Sequence, residues 1–251
     1  GGNDVISTGN GDNYVVAGSG YDEVTVGTGA DALNMGDGND IVYDQAAADA
    51  DAITITAADV LIGGEGTDLL YLVADAGAGY TFSSTNFLGF ESIIFTEEAL
   101  DKEDVALTMD DANVAAGVTF EVNASALTAN KLTFDGSKET DGAFKITGSA
   151  AGADVIKTGA GADDITVIDG GATITAGKGA DKITTTTGGA DTIKQAAGDT
   201  GTLTAVTSGM STVGFDVVTN LVVADSDIVD LTAIFGAGST AAVTEYDATA
   251  T

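Results

Sequence analysis

The chain has 251 residues with thirty-nine acidic side chains against eight basic ones, a formal charge of −31, and all eight cations are lysine. Such a chain repels phosphate backbones and anionic bilayers, which argues against nucleic acid and membrane surfaces as partners and points to cations instead. Histidine, cysteine and proline are absent, so a Ser-His-Asp triad, a zinc-protease motif, a disulfide framework and rigid proline linkers are all excluded.

Charge of this size usually accompanies disorder, yet apolar residues make up 44% of the chain and alternate regularly with the acids, which predicts a fold. No apolar run is long enough to span a bilayer, and no signal peptide opens the sequence. Its first residues, GGNDVI, already lie inside a repeat, so a fragment of a longer protein is expected.

From residue 1 to 43 the sequence returns to the same pattern every nine residues. One glycine place holds Gly9, Gly18, Gly27 and Gly36. A second, two residues on, holds Gly2, Gly11, Gly20, Gly29 and Gly38. An acid place follows with Asp4, Asn13, Asp22, Asp31 and Asp40, and an aliphatic place with Ile6, Val15, Val24, Leu33 and Val42. A lone copy, GGEGTDLLY, carries Gly64, Gly66, Asp68 and Leu70, with Asp59 and Leu61 one period upstream. The passage QAAADADAIT between them has no clear assignment.

The centre differs. Seven of the nine phenylalanines fall between Phe82 and Phe144, and VTFEV, KLTF and AFKIT alternate as half-buried strands do. TEEALDKEDV has a capping threonine and early acids, which predicts a short helix. Glu97 and Glu98 there, like the Asp110-Asp111 and Asp163-Asp164 pairs, read as solvated acids rather than a catalytic pair.

The period returns at AGADVIKTGAGADDITV. Gly152, Gly159, Gly161, Gly177 and Gly179 precede Asp154, Asp163 and Asp181, with Ile156, Ile165, Ile174 and Ile183 in the aliphatic place. Ala172 stands where an acid is due, and Gly189, Asp191 and Ile193 close the series after a one-residue insertion. Lys157, Lys178, Lys182 and Lys194 read as local charge relief. The ITTTTGG run suits exposed strand positions and is too irregular for an ice-binding face.

A glycine-rich turn followed by a short strand with one inward aliphatic makes half a coil of a flattened solenoid. Acids two repeats apart then stack about 4.8 Å from one another along an edge. Carboxylates at that spacing repel by about 3 to 4 kcal/mol at an effective dielectric near 20, so a cation is required. Oxygen-only donors without histidine or cysteine select calcium over zinc or copper, and magnesium holds its own water too tightly. Metal binding and folding are then one event.

The pattern resembles the G-G-x-G-x-D-x-U-x nonapeptide of RTX (repeats-in-toxin) proteins. The resemblance implies an all-β parallel β-roll with a less regular β-rich middle, calcium held between successive turns, and one-step (type I) export to the cell exterior. Carried over by position, the implied ligands are Asp4, Asp22, Asp31, Asp40, Asp68, Asp154, Asp163, Asp181 and Asp191, with the glycine carbonyls beside them. Asn13 still offers an oxygen, whereas Ala172 offers none. The stretch FDVVTNLVVADSDIVDLTAIF resembles the segment that follows such rolls, with Asp216, Asp227 and Asp230 at similar places, and the middle resembles β-rich parts of RTX surface-layer proteins.

The expected organisation is a first roll over 1–72, a non-repetitive segment over 73–147, a second roll over 148–195 and a capping segment over 196–251. The expected function is a secreted, calcium-binding structural module of a surface-layer-like protein, without catalysis, partnered by calcium, by further copies of itself and by cell-surface polysaccharide. The competing readings are the calcium-binding tail of an exported hydrolase and part of an RTX adhesin or virion appendage.

Overall fold

The computed structural model describes residues 1–44, 54–74, 79–97, 104–186, 188–194, 216–219, 226–230 and 240–241. Within them the chain winds as a flattened solenoid whose strands fall in two facing layers, alternating except where Gly79–Thr81 is followed by Phe87–Leu88 and Ile228–Asp230 by Thr240–Ala241. One layer is a single sheet of ten strands: Val5–Ser7, Glu23–Val26, Ile41–Asp44, Leu69–Ala74, Ser92–Glu97, Thr119–Asn123, Ala143–Thr147, Asp164–Thr166, Lys182–Thr184 and Val217–Thr219. The opposite layer is split in two. Its first part stacks Tyr14–Ser19, Ala32–Gly38, Val60–Gly66 and Phe87–Leu88. Its second stacks Gly79–Thr81, Val105–Thr108, Leu132–Asp135, Val155–Lys157, Thr173–Thr175, Thr192–Lys194, Ile228–Asp230 and Thr240–Ala241.

Neighbouring strands are parallel except for the last pair, Val229–Asp230 against Thr240–Ala241. Parallel pairing follows from the winding, because each coil runs in the same sense as the one before it. The aliphatic places point inward: Val24, Leu33, Val42, Leu61, Leu70, Ile156, Ile165, Ile174, Ile183 and Ile193 are all buried, while Ile6 and Val15 in the first coil are half-buried. They stack within each layer, Val24 on Val42 on Leu70 and Ile165 on Ile183 in one, Leu33 on Leu61 and Ile156 on Ile174 on Ile193 in the other.

The ten-stranded sheet runs unbroken through the central segment, which adds bulk to the same core. Phe87 stacks on Phe82 and Phe90, with ring centroids 4.3 and 4.7 Å away, and meets Phe120 of the facing layer edge-on. Phe134 and Phe144 make a second edge-on pair across the layers at 5.0 Å.

The short helix predicted from TEEALDKEDV lies largely outside the described residues, and its opening Thr96 and Glu97 end a strand. QAAADADA, Glu98, and most of the segment from 195 onward also lie outside them.

Candidate metal centres

Register brings the acid places together along both edges of the solenoid. On the edge leading into the ten-stranded sheet, Asp4, Asp22, Asp40, Asp68 and Glu91 stand directly above one another, and Asp163, Asp181 and Asp216 form a second run. On the other edge Asn13, Asp31 and Asp59 make one run. Asp154, Ala172, Asp191 and Asp227 make another.

Each acid clamps the coil before it. The Asp4 N–H donates to Asp22 Oδ1 at 2.8 Å, Asp22 N–H to Asp40 Oδ1 at 2.8 Å, and Asp40 N–H to Asp68 Oδ1 at 2.8 Å. The same bond joins Asn13 to Asp31, Asp31 to Asp59, Asp163 to Asp181, Asp181 to Asp216, Ala172 to Asp191 and Asp191 to Asp227. At the start of the second block the N–H of Phe144 donates to Asp163 Oδ1.

These bonds occupy one oxygen of each carboxylate. The other, Oδ2 of Asp22, Asp31, Asp40, Asp68, Asp163, Asp181 and Asp191, is buried without a hydrogen-bond partner. A native interior rarely leaves such atoms unmatched, and here they recur in file. Among the described residues no lysine pairs with them. The five ion pairs among the described residues join Lys131 to Asp104, Lys138 to Asp110, Lys145 to Glu121, Lys157 to Asp135 and Lys182 to Asp164, all on outer surfaces.

The turns place backbone carbonyl oxygens in the same rows. Gly66 has φ +139°, and a Cβ there would collide with the carbonyl oxygen of Gly38 one coil earlier. Gly179, at φ +145°, meets the Gly161 carbonyl in the same way. Gly20, Gly29, Gly36 and Gly64 likewise face the carbonyls of Gly2, Gly11, Gly18 and Gly36, and Gly27 and Gly177 those of Gly9 and Gly159. The glycine places thus let successive turns pack with the carbonyls of one coil directly against the backbone of the next, near the acid places. Oxygen donors alone, in irregular number, suit calcium.

Charge in these rows is unfavourable as it stands. Loss of water around the buried carboxylate raises Asp68 and Asp163 to about 6. Asp181 is pushed to about 8 for the same reason, opposed by the Asp163 N–H and reinforced by the charges of Asp163 and Asp216. Asp40 and Asp191 are also shifted upward by burial. A bound divalent ion would supply the compensating positive charge.

Four positions depart from the pattern. Asp154 has both oxygens engaged: Oδ1 accepts from the Leu132 N–H and the Ser149 hydroxyl, and Oδ2 from the Ser149 N–H. It lies beside Ala172, the acid place without an acid. Asp59 is filled similarly by Asp31 and by the N–H and hydroxyl of Thr56. Asp4 and Asn13, in the first coil, lack the burial of their successors, and the Asn13 amide turns back to the Gly11 carbonyl.

One row member escaped the sequence reading. Glu91 accepts the Asp68 N–H at 2.7 Å, and LGFESII, with Gly89, Glu91 and Ile93 at the spacing of a repeat, was its signal. Glu97 binds the N–H groups of Thr128 and Ala129 and the Thr128 hydroxyl, a structural use of that carboxylate.

Comparison with known families matches the RTX calcium-binding nonapeptide repeat, in four copies at residues 1–24, 7–42, 56–77 and 150–172. No curated protein and no solved structure matches the chain. The matched segments carry the turns of the first block and the opening turns of the second, and the chain accordingly contains RTX nonapeptide repeats, a repeat that binds calcium at multiple sites.

Proposed function

We propose that this chain is a calcium-dependent structural module of a secreted cell-surface protein of the surface-layer kind, holding its ions through Asp22, Asp31, Asp40, Asp68, Asp163, Asp181 and Asp191 together with the adjoining glycine carbonyls. The observation that carries this reading is the file of buried, unmatched carboxylate oxygens along the edges of the solenoid. In a compartment poor in calcium these oxygens repel, and the coils that present them stay open. Outside the cell, millimolar calcium draws the turns together and stiffens the rod.

The acidic outer faces then allow further ions to bridge neighbouring copies into a lattice. Electron microscopy of the protein in calcium and in chelator tests this reading. A two-dimensional array that dissolves when calcium is removed is the expected result, and dispersed single particles under both conditions would refute the lattice.

A further inference from the structure

Between the two repeat blocks, the corner formed by residues 110–118 stacks on the corner formed by 136–142. The N–H and the hydroxyl of Thr140 both donate to Asp111 Oδ1, at 2.8 and 2.7 Å, and the Gly117 N–H donates to the Asp141 carbonyl at 2.8 Å. One carboxylate oxygen from each of Asp111, Glu139 and Asp141 lies within 4.8 Å of the other two. Three like charges this close need a counter-charge. The lysine of that corner serves elsewhere, since Lys138 pairs with Asp110.

Glu139 gives a second, independent indication. It is only 2% exposed. Its Oε1 accepts the N–H groups of Thr140, Asp141 and Gly142 at 3.0, 3.0 and 2.6 Å, while its Oε2 is buried with no hydrogen-bond partner. One oxygen therefore fixes the corner and the other has given up water without a replacement. Asp111 and Asp141 are exposed, so water can complete a coordination shell from outside.

We propose that Asp111, Glu139 and Asp141 form a calcium site of non-repeat composition. None of the three falls in a segment matched by the nonapeptide repeat. A hard cation bound there ties the 110–118 corner to the 136–142 corner. It also steadies the first turn of the second block, because the Ala160 N–H donates to the Glu139 carbonyl at 3.0 Å. Calcium fits better than magnesium, since two exposed carboxylates, one buried one and solvent make an irregular, adaptable shell.

The test counts bound calcium per chain by equilibrium dialysis and elemental analysis, on the whole chain and on two variants. One is the double variant Asp111→Asn with Asp141→Asn, whose residues lie at the surface. The other is Glu139→Gln, which keeps the acceptor for the corner N–H groups. Each is expected to bind one ion fewer than the parent, with the strand signal in circular dichroism retained in calcium. Asp22→Asn supplies the contrast, because its loss comes from the repeat rows and leaves this site filled. Full stoichiometry in the double variant would overturn the proposal. So would a loss confined to Glu139→Gln, which would assign that oxygen to the neighbouring repeat row. A parent chain that binds no calcium at all would overturn this site and the calcium reading of the repeats together, whereas full stoichiometry in the double variant overturns this site alone.

Discussion

Within the rows, a single carboxylate does two jobs with opposite dependence on the metal. Asp181 Oδ1 accepts the Asp163 N–H at 2.9 Å, while Oδ2 is buried and unmatched. Asp181→Asn keeps the first function and removes the charge. In chelator the variant is therefore expected to be more stable than the parent, and in calcium less stable, with fewer ions bound; thermal melts in the two buffers check the crossing. Asp154→Asn gives the contrast. Both its oxygens accept hydrogen bonds, so an amide nitrogen facing the Ser149 N–H destabilises by about 1 to 3 kcal/mol, alike with and without calcium. Acidity acts on the same atoms. Asp68 and Asp163 titrate at about 6 and Asp181 at about 8 in the fold, against a usual carboxylate near 3.9 when unfolded. These groups bind protons more tightly folded than unfolded, so their contribution is complete below the unfolded value and is lost as pH rises through 6 and 8. In chelator, lowering the pH from 8 to 5 is expected to increase strand content measured by circular dichroism. In saturating calcium that gain should vanish, because protons then compete with the ion.

A coil is the unit that either takes an ion or fills the space with carbon. The register column that reads Asp22, Asp40, Asp68 and Glu91 continues as Phe120 and Phe144 before returning to Asp163 and Asp181. Both phenylalanines are fully buried. The central coils thus place an aromatic ring where the neighbouring coils have a carboxylate, which removes the repulsion along that column. Phe144→Ala is expected to cost about 3 to 5 kcal/mol with or without calcium, read from denaturant melts. Gly66→Ala is expected to act through the metal, since its Cβ would strike the Gly38 carbonyl, and calcium binding by the first block should weaken. These coils also show where the sequence stopped being legible. Acids 18 residues apart announce stacking at Asp4–Asp22 and Asp22–Asp40, but the next steps in the same row are 28 residues to Asp68 and 23 to Glu91. Corners of varying length absorb the difference while the strands keep register. A fixed period therefore finds the regular turns, their glycines and their inward aliphatics, and loses the central coils. Glu139 was hidden for another reason. It fixes its own corner through Oε1, and no repeat place predicts a buried glutamate there.

At the scale of the whole rod, the two solutions alternate along one continuous sheet, with an aromatic centre between two acidic blocks. The centre holds Tyr80, Phe82, Phe87, Phe90, Phe95, Phe120, Phe134 and Phe144 in one buried cluster. Aromatic rings bury far more apolar surface than a valine or isoleucine does, so these coils retain their driving force when metal is withdrawn. The flanking repeats bury one modest aliphatic per half-coil and confine several carboxylates, and without metal they gain too little to order. Folding is then expected to proceed outward, with the central strands offering edges on which coils pair in register once calcium is present. Hydrogen exchange read by mass spectrometry tests this. In chelator, amides of Ser92–Glu97, Val105–Thr108, Thr119–Asn123 and Leu132–Asp135 are expected to be protected while those of Glu23–Val26 and Lys182–Thr184 exchange freely. Adding calcium over about 0.1 to 1 mM, the range of extracellular modules, should extend protection into both blocks. Uniform protection in chelator would mean that the acidic coils need no ion, and uniform exchange would mean that the aromatic centre cannot stand without them.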